Sequence, residues 1–248
     1  MAFNPGTTDF SQASKDAELA ASFGRTGARA SEFLDRAYER HGEHGVVYVC
    51  FGTEYWPSSM DHLSILLYAL ERRKIPFLFA HASRAASIPD GLRAHFDNSE
   101  TAMLVPWAPQ QTVLAHKACG WFVTHAGSNS TMEAVSQGVP MVCWPFAADQ
   151  PMNAARLVHR LDVAFELVEV RMGAASSKPI FATGQTPAGT RAAVEAELDG
   201  TLEAMYGAVG ARKRANARRV RERLAGAWRE DGEARRALER LLDRYCTP

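Results

Sequence analysis

A short apolar run, Gly120-Trp121-Phe122-Val123-Thr124, passes directly into a string of small and polar residues, His125-Ala126-Gly127-Ser128-Asn129-Ser130-Thr131. The apolar run reads as a short buried strand. The string after it supplies a small-residue turn and then hydroxyl and amide groups, on Ser128, Asn129 and Ser130, suited to cap a helix. The spacing predicts that helix from about Thr131 to Gln137, with Gly138 as its stop. A second apolar run, Val139 to Pro145, predicts the next strand and leads to Asp149-Gln150. Strand, tight turn, helix and strand in so few residues leave little choice beyond a parallel α/β unit.

That unit has a chemistry. A strand, a Gly-containing turn and a helix start aim free backbone N–H groups outward at the positive end of a helix dipole, an arrangement suited to phosphate. His125, Asn129 and Ser130 can add hydrogen bonds to such an anion. Glu133, expected in the helix's first turn, can accept from a pair of vicinal hydroxyls. Asp149 and Gln150 lie past the C-terminal end of a strand, where parallel sheets bind ligands.

Upstream, Gly45 to Thr53 is a continuous β-rich run ending in Gly52-Thr53, as in a fully buried parallel strand. Met60 to Lys74 has a broad apolar face at helical spacing, with Pro57-Ser58-Ser59 as its start and cap. Ile75 to Ala80 is the next strand, closing a βαβ unit. Residues 81–100 read as loop with a turn at Pro89-Asp90-Gly91, and Thr101 to Val105 as a strand. Gln110 to His116 reads as a helix, Pro151 to Arg160 as another, and Ala164 to Val168 as a short strand. Glu169 to Pro187 reads as an irregular, partly mobile insertion. Two helical stretches follow, Ala188 to Tyr206 and Ala208 to Tyr245, the second interrupted near Asp231-Gly232. The alternation predicts a doubly wound, mostly parallel α/β sheet with C-terminal helices, in a domain spanning 45–248. Residues 1–44 read as a linker-like segment with one helix at Ala28 to Arg40 and an ill-ordered start.

Composition excludes other classes. The 248 residues carry 28 Lys and Arg against 28 Asp and Glu, so net charge points to no nucleic acid. The basic run from Arg212 to Arg223 lacks interleaved aromatics and reads as a solvated helix face. No apolar run approaches the roughly 18 residues of a membrane span. The N-terminus has neither the basic flank nor the apolar core of a signal peptide. Cys50, Cys119, Cys143 and Cys246 show no paired spacing, which fits free thiols in a reducing compartment and a cytoplasmic location. No GxGxxG follows a strand, so a dinucleotide-binding dehydrogenase is disfavoured.

From Trp107 to Gln150 the chain resembles, without a gap, the 44-residue signature box of the plant and fungal small-molecule UDP-glycosyltransferases. The resemblance implies the Rossmann-like C-terminal domain of the GT-B fold. It implies that Trp107 stacks on uracil with Ala108 and Gln110 near the ring edge. His125, Asn129 and Ser130, on the Gly127-Ser128 turn, would hold the diphosphate. Glu133 would bind the ribose hydroxyls, and Asp149 and Gln150 the donor sugar, with Gln150 pointing to glucose. Gly52 and Thr53 would approach the phosphates from the preceding strand. Plant members usually carry Trp where this chain has Ser128, which bears on contacts to the sugar. No cofactor and no metal are implied, UDP-sugar being a substrate.

The same resemblance covers only the second half of a family member. The acceptor pocket, the catalytic His and the Asp orienting it belong to the N-terminal half, so no catalytic residue is assigned here. His116 sits in the box but on a helix, and His81 only follows a strand. The reading is therefore the donor-binding half of an inverting enzyme that transfers a hexose to a hydroxyl of a small lipophilic acceptor. A partner chain carrying an N-terminal half, or a second copy of this chain, would cover the open face. The alternative is a non-catalytic nucleotide-sugar-binding subunit that completes or regulates a partner. A nucleotide-sugar epimerase of similar fold ranks below both, because the Trp107 box belongs to the transferases.

Overall fold

The computed structural model describes residues 24–173, 176–180 and 182–246. The expected ill-ordered start falls mostly on residues 1–23, outside the described residues. Helix α1 (Gly24–His41) leads into strand β1 (Val46–Cys50), then α2 (Met60–Arg72), β2 (Phe77–Ala80), α3 (Asp90–Phe96) and β3 (Ala102–Val105). Helix α4 (Gln110–Ala115), β4 (Cys119–Thr124), α5 (Ser128–Gln137), β5 (Met141–Cys143) and α6 (Gln150–Ala155) follow. Helix α6 runs on as one π-helical turn, Arg156–Arg160, before β6 (Ala164–Glu166). Helices α7 (Arg191–Tyr206), α8 (Ala208–Ala227) and α9 (Glu233–Tyr245) close the described chain.

All five strand pairings are parallel, in the order β3-β2-β1-β4-β5-β6. That order reverses direction between β1 and β4. The carboxyl ends of those two strands therefore diverge into a crevice, the place where open α/β sheets hold ligands. Residues 46–51 explain why β1 lies in the middle. Val46, Tyr48 and Cys50 pack into the core on one face, and Val47, Val49 and Phe51 into the core on the other. A strand apolar on both sides has to be covered on both sides. Helices α1, α4, α5, α6 and α8 contribute to the first core, and α2, α3 and α7 to the second.

Several sequence boundaries move. Residues 81–100 contain α3, whose Leu92 and Phe96 are buried, so the Pro89-Asp90-Gly91 turn is a helix start. Ser59 caps α2 by accepting from the His62 backbone N–H at 3.2 Å, as its position suggested. Helix α1 lies in the segment read as linker-like, yet Ala30, Phe33, Leu34 and Ala37 are buried in the first core. It packs against the sheet because those residues recur at helical spacing on one face. Between β6 and α7 the chain has no strand among the described residues, as expected, but it is tied down. The Glu169 carboxylate accepts from the Ala188 and Gly189 N–H groups at 2.7 and 2.8 Å. Glu197 on α7 accepts from the Val168 and Glu169 N–H groups at 2.6 and 2.9 Å.

Candidate functional site

The crevice holds a cavity of about 410 Å³, within the usual range for small-molecule sites. Each wall comes from the end of a strand. Gly52, Thr53, Glu54 and Tyr55 follow β1, and Ala82 follows β2. Trp107, Ala108 and Gln110 follow β3, and His125, Gly127, Ser128, Asn129 and Ser130 follow β4. Glu133 on α5 and Asp149 after β5 complete the rim, while Tyr48 and Cys50 of β1 lie at the floor. Every residue named from the sequence except Gln150 lines this one cavity.

The β4–α5 turn is tighter than the sequence suggested. Helix α5 begins at Ser128 rather than near Thr131, and Gly127 is its cap. No side chain caps it, so Ser128, Asn129 and Ser130 are first-turn residues and Glu133 sits in the second turn. The first backbone N–H groups of an uncapped helix have no partner within it, and here they open on the cavity wall. Ala126 makes the bend with φ of 62°, a left-handed conformation that costs an L-residue about 1–2 kcal/mol. Asn153 of α6 braces it, donating to the Ala126 carbonyl at 3.0 Å.

His125 is clasped between two glycines. A Cβ at Gly52 would lie 2.9 Å from the ring's Cε1, and one at Gly127 would lie 2.4 Å from Nε2. Gly52 also holds φ of 77°, which only glycine adopts freely. The imidazole is 8% exposed. Burial pushes its pKa down to about 4, with the Asp149 carboxylate pulling weakly the other way. It is therefore neutral at pH 7 and offers an anion one N–H rather than a positive charge.

Glu133 is oriented by an amide. Gln110 Nε2 donates to Glu133 Oε2 and, at 3.1 Å, to Ser130 Oγ. Tyr48 OH donates to Gln110 Oε1 at 3.4 Å. Burial holds the Glu133 carboxyl above its ordinary pKa, and the Gln110 and Gln111 side chains oppose that by hydrogen bonding to the charged form. One carboxylate edge is thus engaged inside the protein.

Gln150 does something other than line the cavity. It is 2% exposed, and its Oε1 accepts from the Phe146 and Ala147 N–H groups at 2.8 and 3.1 Å. It holds the turn in which Ala148 takes φ of 56° and presents Asp149. As the first residue of α6 it turns its amide oxygen back into that loop and does not line the cavity. Asp149 itself accepts from Asn153 Nδ2 at 2.7 Å.

Tyr48, Cys50, Glu54, Tyr55, Ala80 and Ala82 line the cavity without having been singled out from the sequence. A signal existed for two of them, since Glu54 and Tyr55 directly follow Gly52-Thr53. The Tyr55 ring lies 6.3 Å from His125 and stacks at 6.3 Å on Phe146. Phe146 also lines a second cavity of about 380 Å³ with Trp56, Trp144 and Met172. Among the described residues no cluster of His, Cys, Asp or Glu is suited to hold a metal ion, and no helix is long and apolar enough to cross a membrane.

Comparison with known proteins agrees with the cleft. The family description "UDP-glucoronosyl and UDP-glucosyl transferase" matches residues 27–180. The chain is 37% identical over 214 residues to UDP-glycosyltransferase eriJ of Hericium erinaceus, covering 85% of this chain and 42% of that protein. It is 38% identical over 208 residues to an anthocyanidin 3-O-glucosyltransferase of Zea mays, covering 84% of this chain and 40% of that one. Among solved structures, Phytolacca americana UGT2 complexed with UDP-2fluoro-glucose and pterostilbene superposes with a TM-score of 0.65. The identity is 28%, over 86% of this chain and 43% of that one. The chain spans less than half the length of these relatives.

Proposed function

The chain belongs to the UDP-glucoronosyl and UDP-glucosyl transferase family, and from that premise we propose that residues 45–248 form the donor-binding half of an inverting UDP-glycosyltransferase. The observation that carries the reading is the convergence, at the reversal point of the sheet, of Trp107, His125, Asn129, Ser130, Glu133 and Asp149 on one cavity. Trp107 offers a half-buried aromatic face to uracil. The open N-terminus of α5 and the His125 N–H meet the diphosphate. Glu133 takes the ribose hydroxyls, and Asp149 faces the sugar.

Transfer replaces the bond between the anomeric carbon and the UDP oxygen with one to the acceptor oxygen. The acceptor hydroxyl attacks from the face opposite UDP and gives its proton to a general base. Negative charge grows on the departing β-phosphate, where oriented N–H groups stabilise it without a metal. In this reading the base belongs to an N-terminal half, supplied by a longer chain or by a partner. Helix α9 supports a missing neighbour, since Leu241, Leu242 and Tyr245 are exposed and none of its residues is buried. Glucose is the proposed sugar and a hydroxyl of a small aromatic molecule the proposed acceptor, because relatives are named anthocyanidin glucosyltransferases.

Calorimetry with UDP and UDP-glucose, joined to a transfer assay on a phenolic acceptor, tests this. The purified 248-residue chain should bind UDP and transfer nothing. Absence of UDP binding at millimolar nucleotide would overturn the donor site. Turnover by the chain alone would overturn the assignment of the base to another half.

A further inference from the structure

We propose that Tyr48 is a positioning residue for nucleotide recognition, acting through Gln110 on Glu133; this rests on the donor-site reading above. Tyr48 is 1% exposed, in the middle of β1. Its ring stacks on Phe122 of β4 with centroids 5.0 Å apart and planes within 15°. Its burial and that stack hold the phenol in place in the middle of the sheet. The ring therefore delivers its OH from the core to the underside of the cavity.

The hydrogen-bond logic fixes the direction of the chain of contacts. Glu133 and the Gln110 carbonyl are both acceptors, so Gln110 must turn its NH2 toward Glu133. Its carbonyl then faces Tyr48, and the phenol must donate. Burial keeps that phenol protonated by raising its pKa well above the ordinary tyrosine value. Flipping the Gln110 amide would set its oxygen against the Glu133 carboxylate, so the carboxylate fixes which end of the amide faces it, and the phenol, which can donate or accept, donates to the carbonyl presented to it. The Tyr48 hydroxyl thus anchors the amide from below in the orientation that Glu133 requires. That orientation holds Glu133 Oε2 inward, with Gln111 as a further side-chain partner of the carboxylate, and sets the edge the carboxylate turns to a ligand's vicinal hydroxyls. The same amide holds Ser130 Oγ at the start of α5. One buried hydroxyl on the central strand consequently orders two residues of the rim.

The test compares UDP with 2′,3′-dideoxy-UDP by calorimetry on the full chain. A charged hydrogen bond is worth about 1.5–3 kcal/mol, so the native chain should prefer UDP by about 10- to 150-fold. Tyr48→Phe keeps the ring and its stack. It should cut that preference about 2- to 10-fold, the range of one neutral hydrogen bond, while dideoxy-UDP affinity stays within about twofold. On a Gln110→Ala background the same change should have no further effect on the preference, because the intermediary is gone. Full preference retained in Tyr48→Phe would overturn the proposal and leave the donor site standing. Equal weakening of both nucleotides with a lowered melting temperature would mark Tyr48 as merely structural and overturn it too. No preference in the native chain would remove Glu133 from the ribose and sink both together.

Discussion

Substituting His125 tests whether the cleft's imidazole is the buried, neutral group its surroundings imply. Its pKa falls from 6.5 in the unfolded chain to about 4 in the fold, mainly through burial. A depressed pKa means that the unfolded chain takes up the proton first as pH falls. Stability is therefore intact above about pH 6.5 and is lost as pH drops toward 4. The full shift is worth about 3 kcal/mol, at roughly 1.4 kcal/mol per pH unit. Between pH 7.5 and 5.0 the linkage removes about 2 kcal/mol, because most of the window has then been crossed.

His44, His62 and His81 are also lowered by burial and add to the slope of the native chain. The His125→Gln variant isolates one contribution while keeping a side-chain N–H. Urea denaturation at pH 7.5 and 5.0 is the assay. The pH-dependent loss should be smaller in the variant by about 2 kcal/mol. Equal losses in the two proteins, or an NMR titration of the His125 ring near 6.5, would refute the buried neutral imidazole.

Three further outcomes follow from the same geometry. Trp107→Ala should weaken UDP binding about 5- to 150-fold, from the roughly 1–3 kcal/mol of base–aromatic stacking, and unchanged calorimetric affinity would remove Trp107 from the base site. Gly127→Ala leaves the backbone at an allowed φ of −65° but sets a methyl 2.4 Å from His125 Nε2. Overpacking of that kind costs about 1–3 kcal/mol, so the ring must move and UDP affinity should fall; affinity equal to the native chain's would show that the imidazole does not bind phosphate. Glu133→Ala should weaken UDP-sugar binding while inorganic phosphate binding persists, and equal loss of both would mean that Glu133 only supports α5.

Much of the fold was legible because its signals are local and redundant. The apolar run Val46–Phe51 is buried on both faces, and only a central parallel strand suits such a run. The β4–α5 turn was readable from the abrupt passage from Trp121 and Phe122 to Gly127 and Ser128. The start of α5 was misplaced because Ser128, Asn129 and Ser130 favour caps by propensity, whereas the strained Ala126 turn moves the cap back to Gly127. Helix α3 was missed because its turn formers mask Leu92 and Phe96, whose burial depends on a tertiary contact. Strand order could not be read at all, since pairing is a long-range property that the spacing of elements leaves open.

The site divides along the same line. Residues proposed to meet a ligand line the cavity at strand ends, and their types announce them: Trp107 between turn formers, Asp149 after β5. Residues that act through others do not announce themselves. Tyr48 looks like any core aromatic on β1, and only its distance to Gln110 reveals a second task. Gln150 shows a structural task that its place beside Asp149 did not suggest. Its amide carbonyl accepts from the Phe146 and Ala147 N–H groups. Asn153, one turn later on α6, reaches Ala126 and Asp149. Both strained turns of the cleft, at Ala126 and Ala148, are thus held from a single short helix. A change at Gln150 should therefore move the loop that carries Asp149, because its amide oxygen holds that turn.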